Sequence, residues 1–100
     1  MKLKVHPLAE LDLQHHIDYL LAAGFSDDRL LDFQGAVEEA FSKIERNPTT
    51  WSFAYRSRTV RKIQIPRFRL QVFYLVRTTE PPLVLEVAGP GRLPRWRRRL

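Results

Sequence analysis

Leu3 and Val5 alternate with Lys2, Lys4 and His6, the period-two pattern of a short strand with one buried face. Pro7 then suits a strand exit or the first turn of a helix. From Leu8 to Ala23 the apolar residues Ala9, Leu13, Ile17, Leu20 and Leu21 recur at spacings of three and four, while Glu10, Gln14 and Asp18 take the other face, so a helix is predicted, with Gly24 as its stop. Ser26 followed by Asp27 and Asp28 reads as a cap with acidic residues at the positive end of a second helix. That helix carries Leu30, Phe33, Val37, Ala40, Phe41 and Ile44 on one stripe and ends at Asn47-Pro48. The short connection predicts an antiparallel helical hairpin.

Beyond Pro48 the period changes from helical to alternating. Val60–Ile65 reads as a strand with Ile63 and Ile65 inward and Lys62 and Gln64 outward, interrupted by Pro66-Arg67-Phe68. Leu70–Arg77 and Leu83–Ala88 are β-branched and aromatic and predict two further strands, antiparallel neighbours across the Thr78–Pro82 turn. The order β, α, α, β, β, β with a basic end predicts an α+β fold of two layers: a helical hairpin on one face of a small antiparallel sheet, closed by a short C-terminal basic helix or tail.

Composition narrows this picture. One hundred residues, 44% of them hydrophobic, suit one small domain over residues 1–100. The absence of cysteine excludes disulfide staples, thiolate metal sites and thiol enzymes. No signal peptide or bilayer-length apolar run is visible, so a cytoplasmic location is expected. The net charge of +6 is unevenly distributed. Residues 1–55 hold nine acidic and five basic groups, whereas residues 56–100 hold twelve basic and two acidic groups, a net of +10. Eleven of those twelve are Arg, whose planar fork matches carboxylate and phosphate. The second half is therefore the expected interaction surface, for a polyanion or an acidic protein.

The histidines do not read as a metal site, because His15 and His16 are adjacent on a helix and point about a hundred degrees apart. Glu10, Asp12 and Asp18 could be paired carboxylates or a solvated helix face. No cofactor or metal is expected. Trp51, Phe53 and Tyr55 alternate with polar or small residues and could either cover the hairpin or form a patch that a partner buries.

Taken in order along the chain, a first strand leading into His6-Pro7-Leu8-Ala9-Glu10-Leu11-Asp12-Leu13, Ile17 and Asp18-Tyr19-Leu20, a second helix ending at Asn47-Pro48, then Val60-Arg61-Lys62-Ile63, Val72-Phe73-Tyr74 and Gly91-Arg92-Leu93-Pro94-Arg95-Trp96 with Arg99 resemble the RelE/ParE toxin superfamily of bacterial type II toxin-antitoxin systems. The resemblance covers nearly the whole chain. It implies a toxin neutralised by a cognate antitoxin with an acidic C-terminal segment, a complex that binds operator DNA through the antitoxin, and a role in growth inhibition and plasmid stabilisation. One branch of such toxins cleaves messenger RNA on the ribosome without a metal; another inhibits DNA gyrase and has no nuclease site.

Metal-free RNA cleavage needs proton transfer and neutralisation of the phosphorane. The resemblance to the ribonuclease branch leaves Lys62 in place but puts Gln64 and Gln71 where cations are expected, Ala88-Gly89 where many relatives carry a His, and Trp96 where a Tyr or His would act. Indole donates a hydrogen bond but does not titrate near neutrality. A ParE-like inhibitor of gyrase or a similar target is therefore the leading expectation, without a confident catalytic residue. The alternative is a RelE-like endoribonuclease using Arg61, Lys62, Arg69 and Arg92; a third is a nucleic-acid-binding module gripping phosphate with its Arg tail. Target or antitoxin binding is expected from Arg61, Lys62, Arg69, Arg92, Arg95, Trp96, Arg97 and Arg98, with Arg92 the best individual candidate and Trp96 either a contact anchor or part of the core. The groove between hairpin and sheet, with the basic end, is the expected place for the antitoxin.

Overall fold

A computed structural model describes residues 2–100. Its elements are β1 (Lys4–Val5), α1 (Pro7–Ala22), α2 (Asp27–Arg46), β2 (Val60–Ile65), β3 (Leu70–Leu75) and β4 (Leu83–Ala88), with 3-10 turns at Pro66–Phe68 and Trp96–Arg99.

Each helix begins and ends where its local chemistry dictates. His6 caps α1, its Nδ1 accepting from the Leu8 N–H at 3.0 Å, and Pro7 occupies the first turn, where its missing N–H costs nothing. Gly24, at φ +83°, closes α1: its N–H donates to Leu21 O and the Phe25 N–H donates to Leu20 O, the paired bonds of a Schellman ending. Ser26 then caps α2 through Oγ to the Arg29 N–H.

The strands form one sheet in the order β1-β4-β3-β2. The β2/β3 and β3/β4 pairs are antiparallel as expected, but β1 runs parallel to β4, so the sheet is mixed rather than antiparallel. Parallel neighbours require a long crossover, and the whole stretch from α1 to β3 lies between these two strands. Between Phe73 and Tyr74 the β3/β4 register shifts: Phe73 faces Glu86 and Tyr74 faces Val84, which leaves Leu85 as the extra residue of a bulge.

α1 lies on β4 and α2 on β2, against the same sheet face. The main core joins Ala9, Leu20, Phe33, Val37, Ala40 and Ile44 of the helices to Ile63, Ile65, Leu70, Val72, Tyr74, Val84 and Val87 of the strands. A second cluster on the opposite face gathers Ala54, Val60, Phe73, Leu85, Ala88 and Trp96. Trp96 is only 4% exposed and stacks on Phe73 with centroids 6.3 Å apart, so the C-terminal turn is a lid over this face. Tyr74, fully buried, donates its hydroxyl to Pro48 O at 2.6 Å and ties the chain leaving α2 to the sheet.

Candidate functional site

β1 pairs with only the first part of β4. Beyond it, side chains take over the work of a neighbouring strand. Asp12 and His16, four residues apart and hence on one face of α1, reach both polar groups of the Val87 backbone: Asp12 Oδ2 accepts from the Val87 N–H at 3.0 Å and His16 Nε2 lies 3.2 Å from Val87 O. Arg99 completes the edge, donating to both oxygens of Asp12 (2.6 and 3.2 Å) and to Leu85 O at 2.8 Å. The hydrogen bonds to Asp12 hold the Arg99 guanidinium above its ordinary pKa, against the opposing effect of burial. Gly89 leaves room for this arrangement, since a Cβ there would come within 3.0 Å of His16 Cε1. Asp12 is therefore part of an internal lock, not of a solvated helix face.

Two clefts open beside this lock and share Gly89, Pro90 and Arg92 as a common wall. The first, about 370 Å³, lies between α1 and the chain after β4 and is lined by His15, His16, Tyr19, Glu86, Arg92 and Arg95, with Asp12 and Arg99. Its two acids are already engaged, Asp12 by Arg99 and buried Glu86 by the Arg95 N–H at 2.6 Å. The exposed Arg92 and Arg95 side chains and the rim residues His15 and Tyr19 form no side-chain hydrogen bond or ion pair among the described residues. The second cleft, about 280 Å³, crosses the end of the sheet and brings Arg69 and Arg92 together with Gln64 and Gln71, which face each other in the β2/β3 register. Arg69 is held there by a left-handed backbone, φ 55°, where the turn at Pro66–Phe68 re-enters β3.

The remaining predicted residues go elsewhere. Arg61 faces the helix side opposite Tyr74, donates to Trp51 O at 2.6 Å and lies 3.9 Å over the Phe53 ring, whereas Lys62 stands opposite Phe73 on the other face. Arg61, Lys62, Arg69 and Arg92 thus do not converge; only Arg69 and Arg92 share a cleft. Arg97 packs over the Trp96 ring at 4.2 Å and donates to Tyr55 O at 2.6 Å. Arg98 is exposed, and Trp96 belongs to the core rather than to the surface. What sequence reasoning missed is the set Asp12, His16, Arg99 and Glu86 and the pairing of His15 with Tyr19 on one cleft rim. The signal was present in the four-residue spacings 12/16 and 15/19, each of which puts two polar side chains on one helix face.

Chemically, Arg92 with Arg69 or Arg95 can hold an anion by charge-assisted hydrogen bonds, and His15 and Tyr19 line the larger cleft with Arg92 and Arg95. Among the described residues no three His, Asp or Glu side chains gather as a metal centre would require, and no helix is long and apolar enough to cross a membrane. No protein-family model matches the chain, and no curated protein matches it.

Proposed function

We propose that this protein is a ParE-like toxin that inhibits DNA gyrase or a similar target and is neutralised by an antitoxin with an acidic segment. The observation that carries the reading is the cross-strand pair Gln64/Gln71 at the floor of the Arg69–Arg92 cleft, in a molecule whose Trp96 is buried. Two neutral amides cannot offset the charge of a phosphorane, and a core indole cannot exchange a proton with a leaving group. The element order β, α, α, β, β, β is a second support, in keeping with the fold the resemblance implies. The unpaired arginines suit an acidic antitoxin segment that folds on contact. Such a complex would contact operator DNA through the antitoxin.

One observation favours the ribonuclease alternative. His15 and Tyr19 line the same cleft as Arg92 and Arg95, so titratable groups and cations meet there even though the expected quartet is dispersed. In that reading Arg92 orients the scissile phosphate and Arg61 is structural.

Induced expression in a bacterial host tests the proposal. Growth arrest with filamentation, relieved by the protein encoded next to this gene, is the expected result. Arrest with rapid loss of translation and no filamentation would assign the ribosomal target instead, and unimpaired growth would remove the toxin reading.

A further inference from the structure

The chain carries a second cationic surface, built from the segment between α2 and β2 and from the C-terminal turn. Residues 51–62 and 87–100 contain no acid at all. A hydrogen bond from Arg97 Nη2 to Tyr55 O, with a longer one to Arg56 O at 3.5 Å, joins the two segments. Phe53 and Tyr55 point outward on either side of buried Ala54, 46% and 74% exposed. Each ring has a guanidinium near it: Arg61 at 3.9 Å from the Phe53 centroid, Arg56 at 5.2 Å from that of Tyr55.

This surface is preformed. Ala54 N–H donates to Val60 O, Ser57 N–H donates to Ala54 O, and Ser57 Oγ accepts from Val60 N–H at 2.9 Å, so the 54–60 turn is held from inside. Arg56 sits at φ 54°, a left-handed backbone that a glycine would adopt at lower cost. An arginine kept in a conformation unfavourable to it, beside the most exposed tyrosine, points to a use for its charge.

We infer that Tyr55, Phe53 and Arg56, with exposed Arg98 of the C-terminal turn that Arg97 ties to Tyr55 O, form a platform for single-stranded nucleic acid, with bases stacked on the rings and phosphates held by the arginines. An acidic peptide would satisfy the guanidinium groups but leave the open face of Tyr55 without a partner. A strand of bases satisfies both, because every base has a face to stack and a phosphate beside it. Duplex hides those faces inside its own stack, so the platform discriminates against it. The inference is independent of the toxin reading: it uses neither the Arg92 clefts nor gyrase.

Fluorescence anisotropy with labelled oligouridylate and oligothymidylate, a duplex of equal length and a polyglutamate competitor tests it on the full chain. Both single strands should bind in preference to the duplex. Tyr55→Ala should weaken binding by about 5- to 150-fold while Tyr55→Phe retains it. Arg56→Gly, which suits the backbone, and Arg98→Ala should each reduce the slope of log affinity against log salt by about 0.7. Unchanged affinity in Tyr55→Ala, equal or tighter duplex binding, or no binding of either oligonucleotide at low salt overturns the platform. Displacement by polyglutamate as effective as by unlabelled oligonucleotide also overturns it, in favour of an acidic polypeptide surface.

Discussion

Arg99 and Arg98 are neighbours with opposite fates, and the contrast between their surroundings organises the molecule. Arg99, its side chain 8% exposed, closes a bidentate pair with Asp12 and caps the open edge of β4; Arg98, next to the Arg97 that bonds Tyr55 O, is exposed to solvent. At the β4 edge every charge has a partner and serves folding. Around Tyr55 and Arg92 the charges have no acidic partner among the described residues and are left for something outside the chain. Counting arginines therefore overstates the interaction surface, because Arg61, Arg77, Arg97 and Arg99 all bond backbone carbonyls of their own fold.

Mutations can break this contrast. The largest effect is expected for Asp12→Ala, which strands the Arg99 guanidinium and the Val87 N–H together and should cost roughly 3 kcal/mol in chemical denaturation. Arg98→Ala, one residue from Arg99, should stay within about 0.5 kcal/mol. A cost for Arg98→Ala comparable to that of Asp12→Ala would erase the distinction.

Next comes Tyr74→Phe, expected to lose about 1–2 kcal/mol by leaving Pro48 O without its donor. Burial pushes the Tyr74 hydroxyl up to about 12 from its ordinary value of 10.0, with Arg61 opposing. The folded state thus favours the neutral phenol. Its contribution is complete below pH 10 and is lost as pH rises towards 12, so alkaline titration should unfold the wild type more steeply across that window than Tyr74→Phe. The last effect carries the opposite sign. Arg56→Gly removes a charge and should stabilise the protein by about 0.5–1 kcal/mol in thermal melts, since glycine relieves the left-handed backbone.

The strands, both helices and their caps at Ser26 and Gly24 were legible in the sequence because period and local capping chemistry act over a few residues. Two features were not. The parallel β1/β4 pairing joins residues at opposite ends of the chain, and no local period records which way a two-residue edge strand runs. The bulge at Leu85 likewise leaves no mark in Leu83–Ala88, although it sends Glu86 beneath the Arg95–Trp96 segment. At the site, charge asymmetry correctly marked the second half as cationic. It could not separate Arg99, which pairs with Asp12 from the acidic half, from Arg98, which does not. Nor did it show that the chain from Trp51 to Phe53 engages Arg61 and so removes it from the expected quartet.

The most direct measurement is a paired assay of the purified chain, freed from any antitoxin, on DNA gyrase and on ribosome-bound messenger RNA. Inhibition of supercoiling with intact message, weakened in Arg92→Ala at unchanged melting temperature, is the predicted result. Degraded message with supercoiling untouched would contradict it.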